Sequence, residues 1–161
     1  MHARRPRYSG KNPRSFAEKY KERAGDAATV AKIESKGNTA VGTHRPIAVK
    51  EILEVLAPQP GHVVADCTLG YGGHATELLK RIAPGGRLIG FDADAQELER
   101  TKLRLAPYGD ALQGVHSNYA ALASVLLERE PEGADCVLAD LGVSSMQLDD
   151  PARGACCCCL C

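Results

Sequence analysis

The chain has 161 residues, 44% of them hydrophobic and 25% charged, the size and balance of one ordinary soluble globular domain. No stretch approaches the roughly 18 consecutive apolar residues that a membrane span requires. The net charge of zero averages two unlike parts, because residues 1–50 hold twelve Lys/Arg against four Asp/Glu and the remainder holds eight against sixteen.

A basic arm therefore precedes an acidic domain. Arg4, Arg5, Arg7, Lys11, Arg14, Lys19, Lys21 and Arg23 stand among Pro, Ser and Gly, without the apolar core of a secretory signal. Glu18, Glu22 and Asp26 oppose an organelle transit peptide, which leaves the cytoplasm as the expected compartment. Tyr8, Phe16 and Tyr20 are interleaved with the charges, a pattern that suits base stacking beside phosphate contacts and equally suits a solvated tail. Residues 1–43 are read as this arm, expected to be disordered.

From Pro46 the pattern becomes regular. Ile47, Val49, Ile52, Leu53, Val55 and Leu56 recur at helical spacing; Thr43 or His44 is a suitable cap, Pro46 suits a first turn, and Pro58 with Pro60 ends the helix. Residues 62–67 read as a strand. Residues 70–73 open a second helix carrying Leu78, Leu79 and Ile82, which stops at Pro84-Gly85-Gly86. A second strand over 87–92 ends in acid, and Leu98, Leu103 and Leu105 mark the next helix. A weaker strand over 111–116, a helix with Leu122, Val125, Leu126 and Leu127, and a strand over 136–140 complete the series. Strands alternating with helices imply parallel βαβ units and a doubly wound α/β sheet. In such sheets ligands bind at the carboxyl ends of the strands, around the point where strand order reverses.

The motifs fall on those ends. Asp66-Cys67-Thr68-Leu69-Gly70-Tyr71-Gly72-Gly73-His74 runs from the first strand into a helix, where glycines admit close backbone approach and the helix start offers free N–H groups. Gly70, Gly72 and Ala75 also satisfy a dinucleotide fingerprint, with Asp92 twenty residues after Gly72. Asp66 separates the two cofactors: a carboxylate there repels a pyrophosphate but attracts a ligand end bearing an ammonium and a sulfonium, which favours S-adenosylmethionine over NAD. Asp92 meets the ribose hydroxyls of either cofactor, or caps the following helix, a role that fits Asp94 better. Asp140 leads into Leu141-Gly142-Val143-Ser144-Ser145. Spacing alone leaves it open between an acid that orients an exocyclic amine and an ordinary strand-to-loop exit.

His44-Arg45-Pro46-Ile47, the Thr68-to-His74 turn, Gly90-Phe91-Asp92-Ala93-Asp94, and the run from Asp140-Leu141-Gly142 through Gln147-Leu148-Asp149-Asp150 to Arg153-Gly154 together resemble the RsmH (MraW) family in order and spacing. The resemblance covers about residues 44–154. It implies a Rossmann-like class I methyltransferase fold with strand order 3-2-1-4 and transfer of a methyl group from S-adenosylmethionine to N4 of a cytosine in 16S (small-subunit) ribosomal RNA. The partner so implied is that RNA or the assembled small subunit. By the family's pattern the cofactor contacts are Gly72, Gly73, His74, Asp92, Tyr119, Asp140 and Gln147, with Asp140 the catalytic residue and no metal. Tyr119 replaces the family's usual Phe and Met146 its usual Pro; a phenol stacks much as a phenyl does, whereas Met146 should loosen its loop. Two rival readings are an NAD-binding oxidoreductase and an RNA-binding fragment without enzyme activity.

Seven cysteines suggest disulfides or metal, but five lie at Cys156 to Cys159 and Cys161, a contiguous run poorly suited to wrapping one ion. Cys67 and Cys136 read as buried free thiols. After Gly154 the family pattern stops, and residues 155–161 look like translation in another reading frame. The expectation is a chain truncated after about the fourth strand, lacking the region that chooses the RNA and inactive alone.

Overall fold

Why two of the strands read as unbroken apolar runs becomes clear from their place in the sheet. The computed structural model describes residues 46–142; the basic arm, His44, Arg45, Gln147 and the cysteine-rich tail lie outside the described residues. The elements are α1 (Val49–Leu56), β1 (Val63–Asp66), α2 (Gly73–Ile82), β2 (Arg87–Asp92), α3 (Ala95–Arg104), β3 (Leu112–His116), α4 (Leu122–Arg129) and β4 (Cys136–Leu138). The four strands lie in the order β3-β2-β1-β4, and every neighbouring pair is parallel. β1 and β2 are the inner pair, and Val64, Ala65, Leu88, Ile89 and Phe91 have no measurable exposure. A strand buried on both faces has no need to alternate. β4 does alternate: Cys136 and Leu138 are buried and Val137 is 46% exposed.

Apolar side chains form two clusters on the sheet. Val64, Leu88, Cys136 and Leu138 pack with Leu78, Leu79 and Ile82 of α2, Leu98 of α3, and Ile52, Leu53 and Leu56 of α1. Val63, Ile89 and Phe91 pack with Leu122, Val125 and Leu126 of α4. The chain thus changes face on its way from β3 to β4, and strand order reverses between β1 and β4. That junction is where an open α/β sheet leaves a crevice. Among the described residues no helix is long and apolar enough to cross a membrane.

Four expectations are corrected. Pro46 is not in the first turn of α1: the helix starts at Val49 after Ala48 in a left-handed conformation, with φ 51°. The proline ring instead lies against the start of α2, where a Cβ on Gly73 would come within 2.9 Å of it. Ile47 and Val55 are 67% and 83% exposed, so they lie off the packed stripe. In α3, Leu103 is 78% exposed; Glu97, Leu98 and Thr101 are buried, and Leu98, Thr101 and Leu105 at the helix end are spaced three and four apart as one face of a helix demands. The fourth strand ends at Leu138, the residue paired with Asp66, two positions before Asp140.

Candidate active site

The segment between β1 and α2 is tied to both neighbouring strands before it reaches its glycines. Cys67 N–H donates to the Leu138 carbonyl beside β1 on one side (2.8 Å), and Leu69 N–H donates to the Phe91 carbonyl on the other (2.9 Å). Gly70 N–H then donates to Asp92 Oδ2 at 2.9 Å. The loop is drawn across the carboxyl ends of β4, β1 and β2. Gly72 has φ 81°, a backbone state that side chains disfavour, and a Cβ there would lie 2.8 Å from Thr101 Cγ2 and 3.0 Å from Leu105 Cδ1. The turn therefore sits directly on α3.

α3 grips the turn with polar groups as well. Thr101, fully buried, donates its hydroxyl to the Gly70 carbonyl. Arg104 donates from Nε and Nη2 to the Tyr71 carbonyl (3.2 and 2.9 Å), and its guanidinium stacks 3.5 Å from the centre of the Tyr71 ring. Sequence reasoning missed both residues. Thr101 was legible in principle, because it completes the three-and-four spacing from Leu98 to Leu105; nothing in sequence marks Arg104.

Three carboxylates stand at the ends of three adjacent strands. Asp66, at the end of β1, is 1% exposed; its Oδ1 accepts from Thr68 N–H at 3.0 Å, while Oδ2 has no hydrogen-bond partner among the described residues. Burial dominates its titration and pushes its pKa from 3.8 to about 6, against the Thr68 hydrogen bonds and the nearby His74 charge, which pull it down. Asp92, at the end of β2, is half-buried and accepts backbone N–H groups on both oxygens, Gly70 on Oδ2 and Asp94 on Oδ1 (2.8 Å). Burial raises its pKa too, partly offset by those hydrogen bonds. Asp140, two residues beyond β4, is exposed, and its N–H donates to Thr68 Oγ1 at 2.8 Å.

The remaining expected residues divide. His74 lies in the first turn of α2 with Nε2 donating to the Ile47 carbonyl at 2.9 Å, so its ring holds the segment ahead of α1. Tyr119 opens a short 3-10 turn after β3 and is 56% exposed, a surface residue and not core. Asp94, as its sequence position suggests, caps α3 by accepting from Gln96 and Glu97 N–H. Cys67 and Cys136 are buried free thiols. Gln147 lies outside the described residues. Among the described residues no group of three or more His, Cys, Asp or Glu is placed to hold a metal ion.

The acceptor set fits a ligand with a cationic end and a hydroxylated sugar. Asp66 offers a buried oxygen that nothing else among the described residues satisfies, which is costly unless a donor arrives. Asp92 retains lone pairs beyond the two it has spent, since a carboxylate has about four acceptor sites. A parallel α/β sheet with a glycine turn at its switch point is the frame of the Rossmann-like methyltransferases. A solved protein-L-isoaspartate O-methyltransferase superposes with a TM-score of 0.50 at 16% identity, over 61% of this chain and 30% of that one, a likeness of fold. The sequence profile of the MraW methylase family matches residues 42–156, and the chain belongs to that family. Ribosomal RNA small subunit methyltransferase H 2 of Alkaliphilus metalliredigens (strain QYMF) is 48% identical over 156 residues, 94% of this chain and 44% of that protein. Ribosomal RNA small subunit methyltransferase H 1 of Lachnoclostridium phytofermentans is 45% identical over 159 residues, 96% of this chain and 43% of that protein. The chain thus spans less than half the length of these relatives.

Proposed function

We propose that the protein binds S-adenosylmethionine across the carboxyl edge of β1, β2 and β4 and serves methyl transfer to N4 of a cytosine in small-subunit ribosomal RNA. The observation that carries this reading is the row of Asp66 and Asp92 at the ends of β1 and β2 and Asp140 two residues beyond β4, with one oxygen of Asp66 buried and unpaired among the described residues. Family membership and the names of the relatives supply the substrate class. That substrate implies a cytoplasmic protein.

When bound, S-adenosylmethionine supplies an electrophilic methyl group on a sulfonium. Asp66 faces the cationic end of the ligand, and Asp92 accepts from its ribose hydroxyls while continuing to hold Gly70 and Asp94. The backbone of Gly72, Gly73 and His74 borders the ligand at the start of α2, where the first N–H groups of a helix have no partner within the helix; the Gly72 N–H itself is spent on the Leu69 carbonyl. Tyr119 offers its exposed ring to the adenine, and Gln147 adds a polar contact. Asp140 accepts a hydrogen bond from the exocyclic amine of cytosine and so turns the nitrogen lone pair toward the methyl carbon. This is catalysis by positioning, for which effective concentrations of many molar are available.

Calorimetry with S-adenosylmethionine, S-adenosylhomocysteine and NAD tests the cofactor; the 161-residue chain by itself is expected not to transfer labelled methyl groups to small-subunit RNA, and transfer above background would overturn that part of the reading. Tighter binding of NAD would overturn the assignment.

A further inference from the structure

Thr68 lies between two of the three acids. Its Oγ1 accepts from Asp140 N–H at 2.8 Å, across 72 residues of chain, and its hydroxyl faces Asp66 Oδ1 at 3.4 Å, the same oxygen that takes the Thr68 N–H. A hydroxyl has one proton and two lone pairs. With the proton turned to the carboxylate, a lone pair is left facing the Asp140 amide, so the two contacts support each other. The ladder between β1 and β4 ends at the Asp66–Leu138 pair, and Ala139 and Asp140 are both exposed beyond it.

We propose that Thr68 is a positioning residue: its hydroxyl fixes where the chain leaves β4 and thereby aims the Asp140 carboxylate at the site. The consequence for the site rests on the functional reading above; the geometry does not. Val in place of Thr68 keeps the shape but replaces the hydroxyl by a methyl group, leaving the Asp140 amide without its acceptor and Asp66 Oδ1 with the residue 68 backbone N–H but without the hydroxyl. Ser keeps the hydroxyl and loses only the methyl group.

The test compares Thr68→Val and Thr68→Ser in the full chain by nuclear magnetic resonance and calorimetry. In the Val variant the Asp140 amide should exchange with solvent about tenfold faster, and affinity for S-adenosylhomocysteine should fall about three- to tenfold, the loss expected of one hydrogen bond. The carbon-13 titration of the Asp66 carboxyl should move further up from about 6, because one of the interactions that lowers it is gone. The Ser variant should restore all three. Loss of packing alone would lower the melting temperature without moving the Asp66 titration, so an unmoved titration overturns the proposal. Unchanged amide exchange in the Val variant, or failure of Ser to restore it, overturns it as well. If the parent chain binds no S-adenosylhomocysteine, the functional reading fails while the exchange and titration measurements still decide the role of Thr68. Thr68→Ala carries the same comparison should the Val variant not fold.

Discussion

Ionised Asp66 costs the fold stability. Its carboxyl titrates at about 6 in the folded chain against 3.8 ordinarily, so between those values the folded state holds more protons than the unfolded one. Its contribution is therefore fully present below about pH 4, is lost as pH rises through about 6, and stays lost above. A shift of that size corresponds to about 3 kcal/mol. Asp66→Asn should raise the melting temperature relative to the parent at pH 8 and change it little at pH 4, while weakening S-adenosylmethionine binding. Equal effects at both pH values would show that the charge is not the cause. Asp92 behaves differently, because it holds two backbone N–H groups in addition to its proposed ligand contact. Asp92→Ala should weaken S-adenosylmethionine binding by about 1–3 kcal/mol and also lower the melting temperature, whereas Asp92→Asn, which keeps an acceptor, should lose less of the latter. Calorimetry paired with thermal melts separates the two effects.

At the scale of elements the glycine turn and α3 behave as one piece. Gly72→Ala would force a Cβ into Thr101 and Leu105 at a positive φ, and left-handed strain with overpacking should cost about 2–4 kcal/mol. A denaturant midpoint for that variant matching the parent's would mean that α3 yields without cost. How the turn is held also marks what sequence could convey. β2 was legible over its whole length, since its apolar run and terminal acid leave no other assignment, and the order β3-β2-β1-β4 follows the family pattern. Legibility failed where tertiary contacts override local preference. Pro46 looks like a helix-starting residue but packs on Gly73, Leu103 looks like core but points away, and Thr101 looks indifferent but is the most buried polar side chain of α3. The acids of the site were legible as residues at strand ends; the roles of Thr68 and Arg104 depend on partners 33 or more positions distant.

For the whole molecule the difficulty is charge. Residues beyond 50 hold sixteen acids against eight bases, and Asp66, Asp92, Asp94 and Asp140 stand at or just beyond the strand ends proposed to receive a cytosine. Phosphates are repelled by such a face, so the proposed RNA substrate would have to be attracted from elsewhere in the protein. Residues 1–50 carry twelve bases against four acids. The match to the Alkaliphilus relative covers 94% of the chain and so reaches well ahead of residue 42, where the family profile begins. The arm is therefore proposed to supply the non-specific part of RNA affinity, by phosphate contacts that release counterions. Each such contact contributes roughly 0.7 to the slope of log affinity against log salt on a single strand, so losing about four contacts should flatten the slope by roughly 3. Deletion of residues 1–40 should produce that flattening while leaving S-adenosylhomocysteine affinity within about twofold, because none of the proposed cofactor contacts lies there. Filter binding to a small-subunit RNA fragment across a salt series reads the slope directly. A slope unchanged by the deletion would leave the arm as a solvated tail and shift the search for the RNA contacts to residues beyond 40.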